Sequence, residues 1–262
     1  MASVEHNTNA RYEYVMEKPA RWMSTNPLTN FCMVTYAVPP ERVRRYIPPG
    51  LELDTRRNAQ GEHAFVSAVL FLNDHIRLFP TPWPTFTFYQ VNYRTYVRHK
   101  ERPGVWFFRL MQASRMANFN RRVFGAPTFY APMKQQCSLD AHGGTYRRYR
   151  FDSAASDHTL HLDVEPAPGF SSFDGLFAST GEMEAFLSSR PDGYFSNQRR
   201  PGVTSITIWH DLLRPHYGAA RTARFSVLSE LGLVPGEEQG TPYCVMLAPK
   251  TVLLGQLPKR FA

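Results

Sequence analysis

The sequence predicts a single α+β domain built on a strongly curved, mostly antiparallel β-sheet with a few short peripheral helices. Three observations lead there. Runs rich in aromatic and β-branched residues recur along the chain, as in FTFYQVNYRTYVRH. Turn signals separate them at hairpin distance, as in HKERPG between that run and VWFFRLMQA. Helical patterns are few and short, and no repeat, low-complexity tract or linker divides the chain.

In chain order, residues 1–18 are polar and expected to be a flexible segment, with the folded domain occupying 19–262. LTNFCMVTYAV, from Leu28, is expected as a strand. VPPERVRRYIPPG follows as a short helix with prolines at its start, a Pro-Pro-Gly stop, and Val43 and Ile47 on one stripe. LELDTR, HAFVSAVLFLNDHIRLF, FTFYQVNYRTYVRH and VWFFRLMQA are strands. Ser114 caps a helix through SRMANFNRRVF that carries Met116, Phe119 and Val123 on one side and ends at Gly125 and Pro127. TFYAPMKQQCSLD, GTYRRYRFD and HTLHLDVEP are successive strands, and 181–190 a short amphipathic helix. VTSITIWHDLL is a strand, 219–231 a helix, and YCVMLAPKTVLLGQL the last extended segment.

Composition narrows the function classes. A hydrophobic fraction of 43%, with 19 Phe, 13 Tyr and 4 Trp, allows a sizeable core. No apolar run approaches the ~18 residues of a membrane span, and no basic-then-apolar leader is visible, so a cytoplasmic protein without membrane association is expected. Cys32, Cys137 and Cys244 form no CxxC pair and are expected as free thiols. The net charge of +8 raises nucleic acid as a partner. The arginines, however, come as scattered pairs and triplets without a zinc-finger, RNP-type or long basic-helix pattern, so none is expected. A homo-oligomer remains compatible with the sequence.

The run FYQVNYRTYV, residues 88–97, poses the functional question. Its odd positions make an ordinary half-apolar face. Its even positions align Phe88, Gln90, Asn92, Arg94 and Tyr96, putting two amides and a guanidinium in one row between aromatics. Facing a closed interior, those polar groups need partners, and a bound small molecule is one. Arg94 could hold a carboxylate, enolate or phenolate, or it could tie strands together through loop carbonyls.

PPERVRRYIPPGLELD, FYQVNYRTYV, RPGVWFFRL and a helix ending in FGAPTFYAPM together resemble the YqjF-like family of bacterial proteins, within the acetoacetate decarboxylase-like superfamily. The resemblance runs from about Leu28 to Met133 and is weaker from FLSSRPDGYF onwards. It implies a β-cone or barrel whose interior holds a small-molecule cavity, with the even face of FYQVNYRTYV turned inward.

The resemblance also exposes departures. Acetoacetate decarboxylases form a Schiff base on a lysine in a Gly/Ala-aromatic-Pro-Lys-Lys stretch. The matching stretch here is Gly125-Ala126-Pro127-Thr128-Phe129, and the alternative register places Arg122 and Val123 at the two lysine positions. The nearest lysine, Lys134, would lie roughly 20 Å from Thr128 if one strand ran through both. The pocket glutamate is replaced by Gln90, and the substrate-binding arginine falls at Thr29 or Asn30. The scaffold is therefore expected without acetoacetate decarboxylation.

What remains is a cofactor-independent enzyme acting on a small apolar or aromatic carbonyl compound by isomerisation, cyclisation, dehydration or aldol-type chemistry. The alternative is a non-catalytic binder using the same cavity. Gln90 and Arg94 would polarise and orient the substrate, and Tyr96 would move the proton, with Tyr130 or a histidine as the other sources. Asn92, Arg115, Thr128, Tyr130, Phe88 and Trp106 would bind it, and Phe65 and Phe71 would shape the apolar wall. Arg115 and Asn118 equally fit an ordinary helix start. His158 and His161 alternate across a strand and so cannot pair on a metal, and no metal site is expected at His210 and His216. His63 and His75 fit either acid–base groups or ordinary edge histidines.

Overall fold

The computed structural model describes residues 23–140, 144–155, 158–170, 174–210 and 213–261, with 82–84 at the level of the backbone. The expectation of a flexible 1–18 lies outside them. The strands are β1 Ser24–Val38, β2 Glu52–Leu53, β3 Arg56–Asn58, β4 Gly61–Leu78, β5 Thr81–His99, β6 Arg102–Gln112, β7 Thr128–Tyr130, β8 Met133–Leu139, β9 Tyr146–Ala155 and β10 His158–Pro166. They continue with β11 Asp192–Ser196, β12 Val203–His210, β13 His216–Phe225, β14 Cys244–Gly255 and β15 Lys259–Arg260. Four helices lie among the described residues: α1 Pro40–Arg44, α2 Met116–Phe124, α3 Thr180–Ser188 and α4 Ser226–Glu230.

The long strands close on themselves. The order β12-β11-β6-β5-β4-β1-β14 returns to β12 through Ile208↔Gly255, Trp209↔Leu254 and His210↔Leu253, which makes a seven-stranded barrel. Its neighbours are antiparallel except β11 on β6. From β14 a second sheet, β13-β10-β9-β8, continues and covers one outer side of the barrel.

This double cover explains why β1 and β4 read as nearly continuous apolar runs: both of their faces are buried, as are most of those of β5. One face packs outward, where Val34, Tyr36, Val66, Leu70, Val91 and Tyr93 meet Tyr149, Phe151, Leu162 and Phe225 of the second sheet. The other faces the barrel interior, where Met33, Phe65, Val69, Phe71, Tyr96 and Phe107 meet Phe186 and Leu187 of α3. Helix α3 begins at Ser179, whose side chain accepts from Glu182 N (3.1 Å) while Glu182 Oε2 accepts from Ala178 N (2.8 Å).

Several local expectations change. Residues 219–225 belong to β13, and only Ser226–Glu230 is helical. The alanines there mimic helix propensity, but Ala223 and Phe225 are buried with exposed Arg224 between them, which is strand alternation. TFYAPMKQQCSLD is two strands: β7 pairs parallel with β6 in the barrel, and β8 lies at the far edge of the second sheet. LELDTR contributes two short strands, β2 and β3. On α2 the buried residue is Ala117, whereas Phe119 and Val123 are 49% and 47% exposed. Gly125 ends that helix as foreseen, at φ 68°, and a Cβ there would also meet Asn197 Oδ1 at 2.2 Å. Cys32, Cys137 and Cys244 are free thiols, and burial pushes Cys137 and Cys244 up to about 12.

The second sheet supplies one pH prediction. Asp163 on β10 receives Arg148 Nη2 and Arg150 Nη2 of β9, each at 2.8 Å, and the two guanidiniums hold its carboxyl at about 2. A depressed folded pKa means the stabilisation is complete above the unfolded value near 3.8 and is lost as pH falls towards 2. Asp163→Asn is therefore expected to be less stable than wild type at pH 6, with the difference shrinking between pH 4 and 2. Thermal melts across that range check it, and a difference independent of pH would contradict it.

Candidate functional site

The row in β5 faces the barrel interior. The registers Asn73↔Phe88, Phe71↔Gln90, Val69↔Asn92 and Ser67↔Arg94 place these residues on one inner face. On the other flank, Gln112 and Leu110 of β6 pair with Gln90 and Asn92, and a bulge at Phe108 keeps Phe107 facing inward opposite Arg94.

The amides form one hydrogen-bonded chain, at whose outer end Asn26 Oδ1 is buried without a partner. Asn26 Nδ2 donates to Asn73 Oδ1 (2.7 Å), and Asn73 Nδ2 donates to Gln90 Oε1 (3.2 Å). Gln112 Nε2 donates to the same Gln90 oxygen (2.8 Å) and receives support from Asn120 Nδ2 on its own Oε1 (3.3 Å). Gln90 Nε2 donates to Asn92 Oδ1 (2.6 Å). One step further along the strand, Arg94 Nη2 donates to Leu187 O at the C-terminal end of α3 (3.0 Å), while its Nε is buried without a partner. Helix ends leave carbonyls unsatisfied, so a cation is well placed there.

Asn92 and Arg94 line an interior cavity of about 70 Å³. Its apolar wall includes Leu28, Phe31, Val69, Phe71 and Phe107, and its polar wall adds Ser188, Arg190, His210 and Thr251. His210 Nε2 lies 2.5 Å from Ser188 O, and a carbonyl only accepts, so that nitrogen carries a proton. Thr251 Oγ1 is buried without a partner. Gly193 also lines the cavity, and a Cβ there would sit 2.7 Å from the Phe107 ring.

Arg190 closes the inner end. It donates to Phe186 O (2.6 Å), Val97 O (3.3 Å) and Gly104 O (3.4 Å), and pairs with Asp54 at 2.7 Å. Desolvation lowers its pKa, and the Asp54 carboxylate opposes that.

The remaining expected residues distribute unevenly. Phe88 is buried on the same inner face, and Phe71 lines the cavity. Tyr96 is inward but lies beyond the cavity, with its hydroxyl 2.6 Å from Ser67 Oγ, which in turn lies 2.8 Å from Thr35 Oγ1. Phe65 packs on Phe177 and Phe186 at the same closed end. Thr128 and Tyr130 share the inner parity of Leu110 and Gln112 through the β6–β7 register, but neither lines the cavity. The Thr128 hydroxyl is buried without a partner, and Tyr130 is 54% exposed.

Trp106 does not reach the interior. Its neighbours Val105 and Phe107 point inward, so it points out, packing with Leu51, Val97 and Tyr194 and lining an open surface groove. Arg115 is exposed at the N-cap of α2. Asn30 faces the second sheet and bonds Gln135 (3.1 Å) and Tyr146 (2.9 Å). Lys100, Lys134, Lys250 and Lys259 are exposed on the exterior, and no described lysine lines the cavity. Lys18 lies outside the described residues. His161 pairs outside with Asp152, and no group of three or more His, Cys, Asp or Glu side chains among the described residues could hold a metal. No described helix is long and apolar enough to cross a membrane.

Sequence reasoning missed Ser188, Thr251 and the placement of His210. A signal for His210 existed: VTSITIWH alternates so that Ile206, Ile208 and His210 share one face.

Comparison with known proteins agrees with the architecture. The family model DUF2071, described as an uncharacterized conserved protein, matches residues 25–251. The uncharacterized protein YqjF of Bacillus subtilis is 31% identical over 158 residues, which is 59% of this chain and 63%, less than two thirds, of that protein. Among solved structures, the acetoacetate decarboxylase of Legionella pneumophila superposes with a TM-score of 0.61 at 13% identity, covering 93% of this chain and 88% of that one. An acetoacetate decarboxylase-like enzyme from Sphingomonas wittichii gives 0.60 at 11% identity, covering 92% and 94%. The enduracididine biosynthesis enzyme MppR complexed with pyruvate gives 0.56 at 14% identity, covering 94% and 91%. At these identities the structural likeness shows the fold.

Proposed function

The chain belongs to the DUF2071 family, with an acetoacetate decarboxylase-like fold, and from that premise we propose that its barrel cavity binds and transforms a small carbonyl compound without a Schiff base. The observation that carries this is the convergence of Asn92 and Arg94 of β5 with His210 of β12 on one largely apolar cavity. Asn92 and Arg94 polarise the carbonyl or hold its charge, and the His210 imidazole on the cavity wall can move a proton. No cofactor is invoked.

Size limits the substrate. A cavity of about 150 Å³ binds benzene, so about 70 Å³ favours a compound of a few carbons over an aromatic one. The structures of MppR with pyruvate, and with the condensation product of pyruvate and imidazole 4-carboxaldehyde, support carbonyl chemistry on this scaffold. A specific observation favours the second reading, non-catalytic binding: His210 gives its Nε2 proton to Ser188 O, and the Tyr96 hydroxyl bonds away from the cavity.

Native mass spectrometry of freshly purified protein is expected to find a co-purifying small molecule. Pyruvate in D₂O then separates the two readings, since protein-dependent exchange of its methyl protons requires proton transfer and binding alone leaves them unchanged. Borohydride with pyruvate or acetoacetate is expected to leave the intact mass of the protein unaltered. An adduct on any of the five lysines would refute the mechanism.

A further inference from the structure

We propose that the chain of amides running into the cavity sets its hydrogen-bonding polarity, so that the cavity takes the oxygens of an anion such as a carboxylate or enolate and discriminates against a neutral amide of the same shape. This rests on the cavity being the substrate site, and it assigns Gln90 and Asn73 as positioning residues acting through Asn92.

The polarity is anchored by a group that cannot reverse. Asn73 Nδ2 lies 3.3 Å from Phe88 O, and a backbone carbonyl only accepts, so this atom is the amide nitrogen. The same nitrogen therefore meets the oxygen of Gln90, which also receives Gln112 Nε2. With its oxygen engaged twice, Gln90 presents its nitrogen to Asn92, and Asn92 must answer with Oδ1. Asn92 Nδ2 is thereby turned away from the relay, on a residue that lines the cavity.

The other groups there agree. Arg94 can only donate, and its Nε has no partner. The orphaned Thr251 hydroxyl can donate as well. The nearby backbone acceptors are engaged, Leu187 O by Arg94 and Ser188 O by His210, while Ser188 Oγ gives its proton to Glu184 O (2.6 Å). The side chains of Asn92 and Arg94, adjacent on one inner face, therefore offer N–H donors to an acceptor-only group, whereas the NH₂ of an amide placed against them would face donors.

The test compares pyruvate with pyruvamide, matched in shape, by two-dimensional NMR titration of the full ¹⁵N-labelled chain. Pyruvate is expected to bind at least about tenfold more tightly and to shift the Asn92 side-chain NH₂ signals. Gln90→Met removes the group that fixes Asn92, and the preference is expected to fall to about twofold or less while pyruvate still binds. The wild-type comparison stands even if that variant fails to fold. Equal binding of the two probes, or an unchanged preference in Gln90→Met, overturns the relay and leaves the cavity reading intact. Binding of neither probe overturns both.

Discussion

Arg190→Met is expected to destabilise the protein by about 3–5 kcal/mol, because it breaks a buried ion pair and leaves Asp54 inside the fold. The side chains of Arg190 and Asp54 are 3% and 8% exposed, and their contact is 2.7 Å. Arg190 also ties three elements together: its donors reach Phe186 O on α3, Val97 O on β5 and Gly104 O on β6. Its guanidinium lies over the Phe186 ring at 4.1 Å, so truncation opens a packing defect as well. Arg56 and Arg98 stand 3.9 and 3.8 Å from Asp54 and relieve part of the orphaned charge. Replacing both partners, Arg190→Met with Asp54→Leu, should recover some of the loss, since no charge is then stranded. Urea unfolding of the two single variants and the double one measures the coupling. A loss under about 1 kcal/mol for Arg190→Met would contradict this assignment.

Arg94→Met, at the other arginine that lines the cavity, should behave differently. Pyruvate binding is expected to weaken by at least about thirtyfold, because the cavity loses a cationic donor whose Nε has no protein partner. Stability should fall by only about 1–3 kcal/mol, from the unpaired Leu187 carbonyl. In the structure one Arg94 nitrogen holds the end of α3, and its Nε is buried without a protein partner. Calorimetric binding and chemical unfolding of the same preparation separate the two contributions. A collapse of stability as large as that of Arg190→Met, with pyruvate affinity per folded molecule unchanged, would make Arg94 purely structural.

The fold class and the inward row of β5 were legible in the sequence. Alternation in FYQVNYRTYV put Gln90, Asn92 and Arg94 on one face, and the aromatics flanking them implied an enclosed one. Both follow from the two-residue period of a strand, which is a local property. Local patterns also misled: the alanines of 219–225 read as helix, and Trp106 read as a pocket residue although its neighbours' parity turns it outward. The closure of β12 on β14, which brings His210 to the same cavity as β5 residues more than a hundred positions away, is a long-range pairing that no local pattern announces. The folded chain alone shows α3 capping the barrel with carbonyls that engage Arg94 and His210, and Thr251 left buried without a partner. The physical reason is that hydrogen-bond satisfaction is settled by long-range neighbours, so a side chain's direction is written in its own strand and its partner is not.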